Sequence, residues 1–194
     1  MAKISTRDLI LDVALVLLNE RGESVVTSVD LAAEMNISPG NLYYHFKGKE
    51  EVVEELYAQF HARVLLALQE ITTQASGDSK ETLAALCVVS DILQQFKFIS
   101  QDITGLNERY PTLRRSLAKI LGLLHQSLIA IIKLVLEKSK ITNSKNISRL
   151  LADNVMHTLI SYGAYLPLID PQNQLQETSI EEHLYLHFLP FIED

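Results

Sequence analysis

Apolar residues recur along almost the whole chain at spacings of three and four, the period of one face of an α-helix, and the alternation that marks half-buried strands is missing. The pattern predicts an all-α protein. Leu9, Ile10, Val13, Ala14 and Leu17 share one face of a first helix, opened by Thr6 or by the capping box Ser5-x-x-Asp8 and stopped at Gly22. Thr27, with Asp30 three residues on, opens a short second helix through Leu31, Ala32 and Ala33 to about Met35. After the turn Asn36-Ile37-Ser38, the pair Ser38-Pro39 is a strong start signal. A serine oxygen accepts from orphan amides, and proline is best tolerated at the first helical position. This third helix carries Leu42-Tyr43-Tyr44-His45-Phe46 and must stop near Gly48. Lys49 then begins a longer helix with Val52, Val53, Leu56, Phe60, Val64 and Leu68 facing inward.

Ser76-Gly77-Asp78-Ser79 is the clearest break in the chain. Beyond it the spacing predicts helices over residues 80–96, 100–108, 111–138, 146–166 and 180–192. A polar loop lies at 142–145 and a Pro, Asn and Gln-rich stretch at 167–177. The last helix has Ile180, Leu184, Phe188 and Phe191 on one side and Tyr185, Leu189 and Ile192 on another. Apolar on two faces, it needs cover on both. A second copy of the chain supplies that cover economically, through a four-helix seam that also uses Leu151, Val155, Leu159 and Tyr162. The alternative is a terminal helix sunk in its own core.

The chain has 194 residues, 47% hydrophobic and 21% charged, which is globular composition with room for one domain or a small module on a larger one. Cys87 is the single cysteine, so no intrachain disulfide forms and a reducing cytoplasm fits. Lys3 and Arg7 precede an apolar stretch, but Asp12 interrupts it and no small-residue cleavage site follows, so no signal peptide is read. No strictly apolar run approaches the roughly 18 residues of a membrane span, and a soluble protein without a membrane partner is expected.

The net charge is 17 − 24 = −7, which on its own argues against binding nucleic acid, because neutralising phosphates needs cations. Local placement changes that picture. Residues 27–45 hold two capped short helices joined by a tight turn, the spacing of a helix-turn-helix, whose second helix enters the major groove N-terminus first. Leu42 and Phe46, four apart, face inward with Ile37, which leaves Asn41, Tyr44 and His45 on another side. Tyr hydroxyls, the Asn amide and the imidazole can donate to phosphate oxygens, and Gly40 lets backbones approach closely. Lys47 and Lys49 add cations beside them. On spacing alone, a solvated Tyr-rich helix of an ordinary helical core remains an equal reading.

The run Thr27-Ser28-x-Asp30-Leu31-Ala32 followed by Ile37-Ser38-Pro39-Gly40-Asn41-Leu42-Tyr43-Tyr44-His45-Phe46-Lys47-Gly48-Lys49-Glu50 resembles the DNA-binding domain of the TetR/AcrR family of bacterial transcriptional regulators. The resemblance covers roughly the first 60 residues. It implies a helix-turn-helix domain over residues 1–48 and a helical ligand-binding and dimerisation domain over 49–194. It also implies that Thr27, Ser28, Ser38, Pro39, Gly40, Asn41, Tyr43, Tyr44, His45 and Lys49 meet DNA. Tyr43 and His45 match positions that hold phosphates, and Gly40, Asn41 and Tyr44 fall where bases are read. Two residues depart from the family pattern. Val29 replaces a basic or polar residue, so the second helix is expected to read fewer bases. Glu23 replaces an aromatic, so packing at the end of the first helix is expected to loosen.

The implied function is a ligand-responsive repressor binding a palindromic double-stranded operator as a homodimer through its last two helices. The stretch from Phe96 to Ile103, with Tyr110-Pro111, is similar to a subgroup of such regulators but reveals no effector. A mainly apolar effector pocket is expected among the central helices, with Phe96, Phe98, His125, Met156 and Tyr165 as its candidate lining. No cofactor is implied. His183 and His187 have a spacing that can hold zinc, without a third ligand spaced with them. Asp153 and His157 read as an i, i+4 hydrogen-bonded pair, and Cys87 as a buried inert thiol. With no phosphate loop, nucleophile elbow or paired acids, an enzyme has no support. The rival reading is an all-helical small-molecule-binding or protein-interaction protein that has lost DNA binding.

Overall fold

The structure is a computed structural model that describes residues 5–141, 144–169 and 179–191. Ten α-helices are placed there: α1 (Thr6–Arg21), α2 (Ser28–Glu34), α3 (Pro39–His45), α4 (Lys49–Gln74), α5 (Ser79–Gln95), α6 (Lys97–Gln101), α7 (Ile103–Arg109), α8 (Pro111–Lys138), α9 (Ser144–Ile169) and α10 (Ile180–Phe188), with a 3₁₀ turn at Leu189–Phe191. The described residues contain no strand.

The starts follow their chemistry. Ser5 with Asp8, Thr27 with Asp30 and Ser179 with Glu182 form reciprocal capping boxes at α1, α2 and α10. Ser38 caps α3 with Pro39 behind it. Gly22 ends α1 at a φ of 85°, a region open to glycine. Asn36 takes a φ of 56° in the turn before α3, where its short polar side chain tolerates the left-handed region.

Three elements differ from the sequence pattern. The helix expected over 100–108 is two short ones, because Asp102 breaks the run and accepts from the Gly105 N–H to start α7. The α9 helix continues through Pro167 to Ile169 instead of ending at 166. The last helix stops at Phe188 and tightens into the 3₁₀ turn around Pro190, whose ring supplies no amide donor. Ile192 lies outside the described residues.

Ile10, Ala14, Leu17, Leu18, Leu31, Leu42, Phe46 and Val53 are buried together, so α1, α2, α3 and the start of α4 share one core. The long α4 then leaves this head and runs alongside α5 and α8. Helix α8 is long and apolar enough to cross a membrane. Its residues Leu117, Ile120, Leu124, Leu128, Ile132 and Leu136 are instead buried in the protein core.

In the C-terminal part, Leu184 and Phe188 of α10 point inward against α5 and α9. Tyr185, Leu186 and Leu189 are exposed, as are Leu150 and Tyr165 of α9. Of the expected seam residues, Val155 and Leu159 are fully buried within the subunit and so are not on its surface, whereas Leu151 and Tyr162 are half-buried, Tyr162 with its ring against His183. The i, i+4 partnership of Asp153 with His157 gives way to a link between helices, since Asp153 meets His125 Nε2 at 2.7 Å while His157 is exposed.

Candidate nucleic-acid interface

Helix α3 is held from beneath. Leu42 and Phe46 are buried at its base, Ile37 packs beside them, and the guanidinium of Arg7 lies 4.1 Å over the Phe46 ring. Arg7 also donates Nη1 to the His45 carbonyl at 2.7 Å, satisfying an orphan acceptor at the end of α3, and pairs with Glu55 of α4. These bonds hold the Arg7 guanidinium more firmly protonated than usual, the hydrogen bond to Glu55 contributing most. Arg7, which the sequence offers only as an N-terminal cation, thus locks α1, α3 and α4 together.

The upper face of α3 is open. Ser38, Pro39, Gly40, Asn41, Tyr43 and Tyr44 are exposed, Tyr44 to 82%, and His45 is half-buried with its ring edge-to-face with Tyr44 at 5.0 Å. A Cβ at Gly40 would meet nothing nearer than Ser38 Oγ at 3.9 Å, so no contact within the protein demands glycine there.

Other expected contact residues already hold the head together. Thr27 Oγ1 donates to Asp30 at 2.6 Å within the capping box, and Ser38 Oγ accepts from the Asn41 N–H at 3.2 Å. Ser28 Oγ accepts from the Lys49 N–H at 3.0 Å, tying the start of α2 to the start of α4. Lys49 differs from its expected place beside the reading surface. Its ammonium turns inward, 2.7 Å from the Glu23 carboxylate and 2.9 Å from the Glu23 carbonyl oxygen, whereas Lys47 is exposed. Val29 is exposed as well, in keeping with an apolar residue on the outer side of α2.

Glu23 overturns the expected loosening at the end of α1. It is 2% exposed and accepts from Lys49, from Arg109 at 2.6 Å and from the Tyr110 hydroxyl at 2.6 Å. Burial pushes its carboxyl up, but these donors outweigh it and leave the group below the usual glutamate range. Burial and the neighbouring carboxylate push the Tyr110 phenol far up, keeping it a donor. An acid in an aromatic's place was the available sign, but two of its three partners, Arg109 and Tyr110, come from sequence more than eighty residues away.

The acidic head also looks different in three dimensions. Of its acids, Asp8 and Asp30 serve capping boxes, Glu23 is internally paired and Glu34 lies 3.9 Å from Arg21. None of these four is on α3.

None of the expected effector residues lines the cleft between α4, α5 and α8. Phe96 and Phe98 are each 1% exposed and fill the core, His125 is bound to Asp153, Met156 packs against the core and Tyr165 is exposed on α9. That cleft, of about 480 Å3, is walled by Ala67 and Ile71 of α4, Ala84, Ala85 and Val88 of α5 and Ile131 of α8, with Glu70, Gln74 and Glu81 at its polar positions. Alanines open this space, whereas the sequence pattern draws attention to large side chains, which fill it. His183 and His187 are engaged separately, with the Ser179 carbonyl and with Thr158 Oγ1. Cys87 is half-buried rather than enclosed, and burial pushes its thiol up.

A family model described as "Bacterial regulatory proteins, tetR family" matches residues 10–56, and a second, "Bacterial transcriptional repressor", matches residues 59–191, more than half of the chain. The chain is 39% identical over 89 residues to the HTH-type transcriptional repressor KstR2 of Rhodococcus jostii, a match covering 45% of this chain and 43% of that protein. It is 28% identical over 109 residues to the probable HTH-type transcriptional regulator YttP of Bacillus subtilis, covering 53% and 52%. These matches span about half the length of the curated relatives. A crystal structure of a TetR-family transcriptional regulator from Marinobacter aquaeolei VT8 superposes with a TM-score of 0.81 over 98% of this chain and 92% of that one, at 24% identity, and so shares the fold. These relatives are transcriptional regulators, not enzymes, and this chain belongs to the TetR family of bacterial regulatory proteins.

Proposed function

We propose that this chain is a DNA-binding transcriptional repressor that acts in the cytoplasm as a homodimer on a palindromic operator and releases it when a small molecule binds. The observation that carries this reading is the outer face of α3. Asn41, Tyr43 and Tyr44 are exposed on a helix whose other side is pinned by Leu42, Phe46 and Arg7, and Gly40 leaves a gap that the fold itself does not need. Residues 1–48 serve as the reading head and 49–194 as the sensing and pairing part. Two such helices enter successive major grooves about 34 to 36 Å apart. Tyr43 and His45 bear on phosphates, while Gly40, Asn41 and Tyr44 bear on bases. Few cations face the groove, so shape and neutral donors carry much of the recognition.

Pairing of two chains is supported by the large apolar side chains left exposed on and just after α10, Tyr185, Leu186 and Leu189, and on α9, Leu150 and Tyr165. The cleft between α4, α5 and α8 has the size of a small-ligand site and touches α4, the helix that begins at the reading head. An occupant that prefers one arrangement of these helices shifts the spacing of the two heads. The test is binding of the full chain to duplex DNA from upstream of its own gene. Affinity that falls steeply with salt and is lost on Tyr43→Ala supports the reading. Equal binding by wild type and variant overturns the site assignment, and salt-independent binding of small molecules with none of DNA overturns the reading in favour of an all-helical ligand carrier.

A further inference from the structure

Among the described residues, polar contacts between the head and helices α5 to α8 converge on two points. Asn19, near the end of α1, donates Nδ2 to the Gln95 carbonyl at 2.8 Å and accepts from the Phe98 N–H at 3.0 Å, fastening α1 to the break between α5 and α6. Four residues on, buried Glu23 takes donors from both directions. Its Oε1 accepts from Lys49 Nζ at 2.7 Å and from the Tyr110 hydroxyl at 2.6 Å, and its Oε2 from Arg109 at 2.6 Å.

Arg109 is braced at 2.7 Å on Asp102, the cap of α7, and a Cβ at Gly105 would run into both groups. The bare glycine is what lets the guanidinium bridge from Asp102 to Glu23. The start of α8 continues the same track onto α4, where Thr112 Oγ1 donates to Glu54 at 2.7 Å and Tyr57 donates its hydroxyl to Ser116 at 3.0 Å. Residues 109–116 therefore grip the head and the near half of α4. The far parts of α4 and α8, at Ala67 and Ile131, wall the cleft.

We propose that Glu23 is a positioning residue for operator recognition: it is the buried anion through which the junction of α7 and α8 fixes the angle of the reading head and hence the half-site spacing the dimer accepts. The proposal rests on the DNA-binding reading above. Its physical basis is that a buried carboxylate is tolerated only while its donors stay in place. A displacement of Arg109 and Tyr110 must then either carry Glu23 with it or break the cluster and admit water. Glu23 holds Lys49 through both its carboxylate and its carbonyl oxygen, and the Lys49 N–H holds Ser28, so the displacement reaches the first turns of α4 and α2. Helix α3 follows because it packs against α2 and is tied to α4 through Arg7, which bonds both the His45 carbonyl and Glu55.

The test uses an operator selected by the full wild-type chain from random duplex DNA, rebuilt with its half-sites moved one or two base pairs closer or further apart. The variant Arg109→Gln with Tyr110→Phe lies off the α3 surface. It is expected to bind a single half-site within about threefold of wild type, while its preference for the best spacing over one two base pairs longer falls by about tenfold. Arg109→Lys, which restores a cation, is expected to recover part of that preference. If the double variant does not fold, Tyr110→Phe alone and Gly105→Ala are read in the same way. A folded variant with unchanged spacing preference overturns the role of Glu23 and leaves DNA binding standing. Failure of the wild type to select any DNA overturns both.

Discussion

Tyr110 donates its hydroxyl to Glu23 over 2.6 Å, joining the residue before α8 to the loop after α1, 87 residues earlier in the chain. The contact is buried and shares its carboxylate with Lys49 and Arg109. It converts a single acid in the head into a joint among α1, α4 and the α7–α8 junction. Charge burial of this kind is costly unless every lone pair finds a donor, and here both oxygens do.

Removing one donor should therefore be felt as stability. Tyr110→Phe keeps the ring and deletes only the hydroxyl, so a loss of about 1.5 to 3 kcal/mol is expected, the range for a hydrogen bond to a charged group. Glu23→Leu strips the partner from a largely buried Lys49 as well and should cost more, about 3 to 5 kcal/mol. Urea unfolding of the full chain measures both. A Tyr110→Phe midpoint equal to wild type would show that the hydroxyl contributes nothing.

The same joint predicts a pH dependence. The folded state holds the Glu23 carboxyl below its ordinary value, although burial alone would raise it. A lowered folded value means the unfolded chain takes up the proton first. The stabilisation is then complete above the ordinary glutamate value and lost as pH falls through the folded one. Glu23→Gln lacks this term, so the stability gap between wild type and Glu23→Gln should be largest near neutrality and shrink on acidification. Urea midpoints at pH 7, 5 and 4 measure it, and a gap that widens in acid contradicts the assignment.

How much of this was legible in the sequence depended on distance along the chain. The capping boxes at Ser5, Thr27 and Ser179 and the Ser38-Pro39 start are local, and the helices begin where those residues require. The outward face of α3 was equally readable, because Leu42 and Phe46 four apart fix which side is buried. Lys49 and Glu23 were not, since each is placed by the other and by Arg109 and Tyr110. The cleft escaped for a different reason: Ala67, Ala84 and Ala85 make room by what they lack.

Tyr44 tests the reading surface with little structural ambiguity. At 82% exposure its side chain contributes little to the fold, so Tyr44→Ala should leave the melting temperature within the small range of surface substitutions. If it reads a base, operator affinity should fall by about 1 to 3 kcal/mol, roughly fivefold to 150-fold, with discrimination relaxed at one position of each half-site. Quantitative binding to the selected operator and its single-base variants decides this. A uniform loss across all sequences would make Tyr44 a phosphate contact instead.

Leu186 tests the pairing of two chains. Helix α10 buries Leu184 and Phe188 inside the subunit, which leaves Leu186, 64% exposed, on the opposite side with Tyr185 and Leu189. In a dimer through this surface, Leu186→Glu places two carboxylates in an apolar seam without disturbing the core of either subunit. The variant should run as a monomer by light scattering while wild type runs as a dimer, with little change in helical content. Operator binding should weaken far more than half-site binding, because one reading head no longer delivers the other at high effective concentration. A variant that stays dimeric would move the seam off this face of α10, and one that becomes monomeric yet binds the full operator as tightly as wild type would separate pairing from recognition.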